Sequence, residues 1–586
     1  MHLPLKRLAL ITLVLVGLNG LPTLPVLAAP GLSEGENKQK AEALQSDVVL
    51  KAMQDELSRS MTRLKLPNHP LPYFGAFTIT DEDFLQLSAT FGAVETNSRS
   101  VNRYSDTMLR VGDKKFDNSA ASGGIMFGRT WVGGSDVPTD DNYDAIRYGL
   151  WMQADGAYKQ AVEQLESARA RSRYINVEER PDCYSEAKPV VSIVDGVKPV
   201  LDVPVWQERV RKLSAIFKEY PKIENSNVFM NVRQNTRRFI NSEGTLTKHS
   251  DMGVLIGISA SVQCKDGMDL NDFEFFAADS LDQLPDQNKM EEVTRQLCQR
   301  AEGMLDVPKA ADYQGPVLFE KQAAAELATA ILPRLVCARP DANFMLGGNE
   351  EDQVLNKPVL ASCINIFDDP TSTTFNGLRL KGGWIIDYEG VPAQKLQLVE
   401  KGVLKTLCAT RTPTRAVHES NGHCRGGSAT PGHLVLSTDE KTTLSDLRQK
   451  LIELGKADKL DSVLIVRRSQ PNFLNYYSSI SGLTRGRSRT VGSPVMVYRL
   501  DVHTGKEELI RGARFREIPK RGYLELQLAS DDAQPYTVEM PNDRSSTTLS
   551  LITPSILVKD LEVVKPPRTT EAPPYLKNPY FEEQGK

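Results

Sequence analysis

No two of the seven cysteines form a CxxC pair, and no glycine-rich stretch ends in GK[ST]. The usual marks of a paired-cysteine metal site and a phosphate-cradling loop are therefore missing. The glycine-rich stretch from Ser122 to Ser135 reads as loop and turn. Positive charge is not in excess either. The formal charge of -4 becomes -6 once Lys6 and Arg7 are removed, which gives no general attraction to phosphate backbones, so nucleic acid is not an expected partner. Beyond the first 30 residues no run approaches the roughly 20 apolar residues that a bilayer core requires, and no stable membrane anchor is expected. No internal repeat is found.

What is present is ordinary globular material: 586 residues, 40% hydrophobic and 25% charged, enough for two or more domains with buried cores. Lys6-Arg7, the apolar stretch Leu8 to Leu18, and the small residues around Val26-Leu27-Ala28 have the layout of a secretory signal peptide. The expected mature chain starts near Ala29 and is periplasmic or secreted. Export permits disulfides, but the odd set Cys183, Cys264, Cys298, Cys337, Cys363, Cys408 and Cys424 fits scattered buried thiols better than a disulfide framework.

Apolar residues at three- and four-residue steps predict helices through Leu50 to Leu64, Trp151 to Ala168, Trp206 to Phe217 and Met290 to Met304. A further one spans Leu444 to Leu454, with Thr443 as its cap and Gly455 as a left-handed stop. The break at Pro308 divides the chain. Beyond it strands are predicted at Trp384 to Tyr388, Ser462 to Val466, Val495 to Val502, Tyr523 to Leu528 and Thr548 to Ile552. The tail from Lys565 is rich in proline and charge and is expected to be extended or disordered. The expected division is 1–28 signal peptide, 29–308 N-terminal and central domain, 309–564 C-terminal domain and 565–586 tail.

Between Gly315 and Leu436 four signatures follow in order: GPVLFEKQAAAELA, FDDPTS, DYEGVPAQ and ESNGHCRGG. NSEG at Asn241 to Gly244 and LWMQADGAYKQAVEQL at Leu150 to Leu165 add to them. Together they resemble the TldD/TldE (PmbA) peptidase family. The resemblance implies a two-domain α+β protein, an N-terminal α/β domain followed by a strongly curved, mostly antiparallel β-rich domain, with two subunits enclosing a cavity. In the TldD branch the helix after the GPVLF-like segment carries HExxxH, whose two histidines and a later cysteine hold zinc while the glutamate acts as base. Here that helix reads AAAELATAILP without a histidine near Leu327 to Leu332, and no cysteine follows Cys424.

His418-Glu419-Ser420-Asn421-Gly422-His423 does spell HExxxH, but in the place of the family's later SNGHxR-type loop. Pro413, Asn421-Gly422, Gly426-Gly427 and Pro431 favour loop, and on a regular helix side chains five apart diverge by roughly 140°. In the competing reading His418 and His423 are zinc ligands, Glu419 is the base, and Cys424 or His433 is a third ligand. His69, His249 and His503 have no ligand spacing and are assigned nothing. Asp368-Asp369-Pro370 reads as a turn, and Asp387 and Glu389 as one face of a strand. The arginines Arg467, Arg468, Arg485, Arg487, Arg489, Arg511, Arg514, Arg516 and Arg521 read as a solvated face or as a wall that grips a peptide carboxylate. The expected function is a metal-free, TldE-like subunit that binds unfolded peptide beside a TldD-like partner. The rivals are an active zinc peptidase and a homodimeric envelope binding protein.

Overall fold

A computed structural model describes residues 31–586 apart from 122–130, 173–180, 197–200, 340–353, 472–493, 517–525, 542–545, 567–572, 575 and 585–586. The signal-peptide reading and Arg485, Arg487, Arg489 and Arg521 lie outside the described residues. Among the described residues, no helix is long and apolar enough to cross a membrane.

In the first half, β1 (Pro72–Thr90), β2 (Ala93–Val111), β3 (Trp131–Asp136), β4 (Val191–Val194), β5 (Asn225–Asn241), β6 (Leu246–Gln263) and β7 (Asp269–Ala278) share one sheet. Its order is β3-β2-β1-β5-β6-β4, with β7 pairing β6. Strand β3 corrects the reading of Ser122 to Ser135 as loop throughout, because the backbone from Trp131 onward pairs with β2. Five helices accompany this sheet: α1 (Glu34–Ser46), α2 (Val48–Arg63), α3 (Tyr143–Ser172), α4 (Val203–Ala215) and α5 (Gln287–Gly303).

Alternation decides which face of these long strands is covered. Phe77 and Ile79 of β1 pack with α2 and α3, while Leu85, Leu87 and Ala89, on the same parity, pack with α4 and α5. Between the two clusters that face turns polar. Arg238 bridges Asp81 at 2.6 Å and Asp47 at 2.9 Å, and Arg103 joins Asp81 and Asp141, so the buried charges have partners. Trp151 departs from the predicted stripe on α3, since it is exposed while Ala154, Tyr158, Ala161 and Leu165 are buried.

The second half places β8 (Tyr313–Phe319) in the middle of a sheet. Its other strands, by range, are β9 (Ile364–Asp368), the short hairpin β10 and β11 (Thr374–Phe375, Leu378–Arg379), β12 (Leu396–Glu400), β13 (Val403–Leu404), the hairpin β14 and β15 (Cys424–Arg425, Ser428–Ala429) and β16 (Leu434–Thr438). They continue with β17 (Ser462–Ser469), β18 (Pro494–Asp501), β19 (Glu507–Ile510), β20 (Arg514–Phe515), β21 (Leu526–Ala529), β22 (Gln534–Pro541), β23 (Ser546–Thr553) and β24 (Ile556–Val564). One sheet runs β19-β18-β17-β8-β24-β20 and another runs β13-β12-β9-β16-β23-β22, mostly antiparallel, in a strongly curled α+β arrangement.

Helix α6 (Gln322–Val336) follows β8 directly and joins the large core that holds Val317 and Phe319. Helix α7 (Leu444–Ala457) covers the other face of β8, where Leu318 meets Leu447 and Leu451. Thr443 caps α7 as expected, with Asp446 closing a capping box. Gly455 is not its stop: the helix runs on to Ala457, and a Cβ at Gly455 would sit 2.4 Å from Val463, so this glycine serves close packing.

Two further expectations are corrected. Trp384 to Tyr388 forms no strand, because a turn at Gly390 folds Asp387 back onto Val391 instead of onto a neighbouring strand. The tail ends in α8 (Pro579–Glu583), whose Phe581 is buried and meets Phe91 edge to face at 5.9 Å. One apolar anchor thus holds a segment whose composition argues for disorder.

Candidate functional site: a cleft at helix α6 and a buried histidine loop

A cleft of about 140 Å³ opens beside the first turns of α6. Asp272 to Phe275 of β7 and Tyr536 to Val538 of β22 form its walls, with Gln322, Ala325 and Glu326 of α6 and Arg468 and Ser469 of β17 between them. Strand β22 is the last of its sheet and β7 pairs β6, so the cleft lies between two edge strands. Such edges can pair with an extended chain through main-chain bonds.

The side chains here are already tied together. Arg468 donates to Asp272 at 2.9 Å and lies 3.1 Å from Glu274, while Arg300 reaches the same two carboxylates at 2.8 and 2.9 Å. Burial alone would pull the Arg468 guanidinium down, but Asp272 and Glu274 outweigh it and hold it above its ordinary range. Gln322 exchanges two bonds with Ser469, both 3.0 Å, which fixes the start of α6 against β17. Arg467 is likewise engaged, by Glu320 and Glu507. Among the described arginines of the expected carboxylate-gripping wall, Arg468 alone lines this cleft, with internal partners.

Helix α6 continues past Pro333 to Val336, although that proline has no N–H for the carbonyl one turn back. Ala323, Ala324, Ala325, Leu327, Ala328, Ile331 and Leu332 are all buried on it, so the helix on which the resemblance would place the metal histidines is apolar packing.

The HESNGH letters fall in a loop. His418 and Glu419 are exposed, whereas His423 is fully buried. The Asn421 side chain accepts from Ala409 N and donates to Leu407 O, both at 2.8 Å, and so acts as a rung between two segments. Gly422 has φ +78°, and a Cβ there would lie 2.2 Å from the Pro392 carbonyl oxygen. Trp384 donates from its indole to Gly422 O at 2.9 Å. His423 turns inward, with Nδ1 2.9 Å from Asn421 O and Nε2 2.8 Å from Asp368 Oδ2. His433 is buried as well; burial lowers its basicity, opposed by the charge of Asp368. Burial raises the Cys424 thiol, with Glu389 and Asp387 adding to the effect.

Asp368 is the residue whose importance the sequence hid. Written as half of a turn, it is the last residue of β9, with no exposed surface, and its Oδ2 also accepts from Gly432 N at 2.8 Å. Asp369 does serve the turn, through Thr371 N at 3.1 Å and Thr371 Oγ1 at 2.6 Å. Among the described residues, Asp368, Cys408 and His423 form a group whose donor atoms all lie within 4.8 Å of one another, and His418 is not part of it.

Residues 312–463 match the family model described as the PmbA/TldA metallopeptidase C-terminal domain. The likeness to the TldD/PmbA family is carried by this segment, about a quarter of the chain. Solved structures with this fold include TldE from Thermococcus kodakarensis, 16% identical, TM-score 0.52, covering 88% of this chain and 100% of that one. A proposed modulator of DNA gyrase from Thermotoga maritima MSB8 matches at 14% identity and TM-score 0.53, covering 84% and 96%. Another from Bacteroides thetaiotaomicron VPI-5482 matches at 12% identity and TM-score 0.53, covering 88% and 98%. No curated protein matches the sequence significantly.

The remaining signatures build the joint between the two halves. Asp387 Oδ1 accepts from Glu389 N and Val391 N, both 2.9 Å, and Oδ2 from Cys424 N at 3.0 Å, so the DYEGV segment is a carboxylate-centred turn and not a strand face. Burial and the nearby Glu389 charge push Asp387 up to about 7, against those three N–H donors. Arg237 of β5 donates to the Tyr388 carbonyl at 2.9 Å, and Arg425 stacks on Trp384 and Tyr388, 4.4 Å from each ring. Glu243 of the NSEG segment receives Arg411 from the second half.

Proposed function

We propose that this TldD/PmbA-family chain is a non-catalytic, TldE-like subunit that is exported, binds unfolded peptide and completes a cavity with a metal-bearing partner. The observation that carries this reading is α6: it stands directly after the GPVLF strand and presents alanine, leucine and isoleucine to the core where a catalytic zinc would need imidazole or thiolate. The cleft beside it supports peptide binding. Two edge strands flank it, and binding through main-chain bonds tolerates many sequences, as an unfolded substrate requires. The gyrase-modulator descriptions concern the neighbours and are not carried over.

The test is purification of the tagged chain from the exported fraction of its own cells. A coisolated TldD-like protein with an intact HExxxH, and casein cleavage that needs both chains, would support the proposal. A stable homodimer with no such partner would favour a binding protein of the envelope. Cleavage by the chain alone would return the reading to His418, Glu419 and His423.

A further inference from the structure

We propose that Asp368, Cys408 and His423, with Cys337 as fourth donor, bind one zinc ion as a closed structural centre in the second half of the chain. The proposal stands apart from the subunit role above, because the four residues are buried and none of them lines the α6 cleft.

The ring hydrogens of His423 do not match its neighbours. His423 Nδ1 faces the carbonyl oxygen of Asn421, and Nε2 faces Asp368 Oδ2, which already accepts from Gly432 N. Both neighbours are acceptors, but a neutral imidazole has one ring N–H. With the proton on Nδ1, held by a backbone carbonyl, the Nε2 lone pair points at a carboxylate. A metal cation between Nε2 and Oδ2 resolves this as a second ring proton would, and a carbonyl on the far nitrogen is the usual way a protein fixes a ligating histidine.

Asp368 also carries an orphan atom. It has no exposed surface, and its Oδ1 is buried without a hydrogen-bond partner. Such an atom is costly to bury unless something satisfies it.

The donor set suits a metal. Asp368, Cys408 and His423 offer oxygen, sulfur and nitrogen within 4.8 Å of one another, all three buried. Zinc bonds of about 2.0 Å to nitrogen or oxygen and about 2.3 Å to sulfur separate tetrahedral donors by roughly 3.3 to 3.8 Å, so a shift of about 1 Å suffices. Cys337, immediately after α6, lies outside this 4.8 Å group and would swing in beside Cys408 to complete the tetrahedron. Its backbone forms a parallel bridge with Cys408, the two thiols are within hydrogen-bonding reach, and both residues are buried. Two sulfurs, one nitrogen and one oxygen suit zinc, and four protein ligands leave no open position for a reactive water. On binding, each coordinating thiol gives up its proton to solvent and the metal takes the thiolate. The ion would tie the end of α6, the end of β9, the Cys408 segment and the SNGH loop at one point.

The experiment measures zinc by mass spectrometry in the purified full-length mature chain, followed by exchange for cobalt. Expected are about one equivalent of zinc per chain and a thiolate-to-cobalt charge-transfer band, the mark of sulfur ligation in a tetrahedral site. The wild-type spectrum needs no variant to fold. Cys408→Ser is expected to lose most of the metal and the band. Cys264→Ser and His418→Ala are expected to keep both. Zinc below about a tenth of an equivalent, a cobalt spectrum without the sulfur band, or Cys337 joined to Cys408 as a disulfide would each overturn the proposal. Loss of zinc in His418→Ala would overturn it in favour of the HESNGH site. Casein cleavage by a zinc-loaded chain that survives His418→Ala would sink the subunit proposal and leave this one standing.

Discussion

Arg411, whose side chain has no exposed surface, grips Glu243 through two nitrogens at 2.7 and 2.9 Å and so joins the two halves of the chain. The same guanidinium donates to Ser185 O at 2.7 Å and lies 4.2 Å from the Tyr184 ring. Removing the carboxylate leaves this buried cation with the Ser185 carbonyl, the Tyr184 and Phe74 rings and the more distant Glu389 charge. Glu243→Ala is expected to lower unfolding stability by about 3 kcal/mol, since breaking a buried pair from one side strands the other charge. Equilibrium denaturation checks it, and a loss under about 1 kcal/mol would show that the pair does not hold the halves together.

Gly422 supplies a second prediction. At φ +78° an alanine is strained whatever the space, and its Cβ would meet backbone atoms of Pro392 and Ala393 that cannot swing away. Gly422→Ala is expected to cost more than about 2 kcal/mol and to shift Asn421 and His423 together. A thermal melt shows the cost. A variant as stable as wild type would mean that the loop is not held as described.

These two sites show what the sequence made legible. The helices of the first half follow their apolar stripes closely, because a three-and-four spacing leaves one buried face and nothing else competes for it. The curled second half was implied by motif order and not by periodicity: Trp384 to Tyr388 alternates like a strand but is held by the Asp387 carboxylate. Gly455 and the tail misled for related reasons, since a glycine at a helix end can serve packing, and one buried Phe581 can anchor an otherwise polar segment. The grouping of Asp368, Cys408 and His423, and the meeting of β7 with β22 beside α6, depend on chain positions far apart in sequence, and local spacing has no access to them.

His249 gives a pH dependence. Burial, followed by the charges of Arg237 and Arg425, lowers its pKa from 6.5 to about 4, while Ser192 Oγ sits 3.0 Å from Nε2. Between these values the unfolded chain binds the extra proton, so this residue's contribution to stability is present above about 6.5 and is lost as pH falls towards 4. Against His249→Gln, the wild type is expected to lose on the order of 1 kcal/mol more between pH 7 and 4, after allowing for partial exposure. Denaturation midpoints of both proteins across that range are the check, and parallel curves would remove His249 from the account.

The central claim, that this chain binds peptide without cutting it, is tested most directly by incubating the purified mature protein, supplied with zinc and without any partner, with casein. The account predicts that the casein remains intact, and that cleavage begins when a TldD-like partner with an intact metal helix is added. Cleavage by the chain alone, abolished by Glu419→Gln, would contradict it.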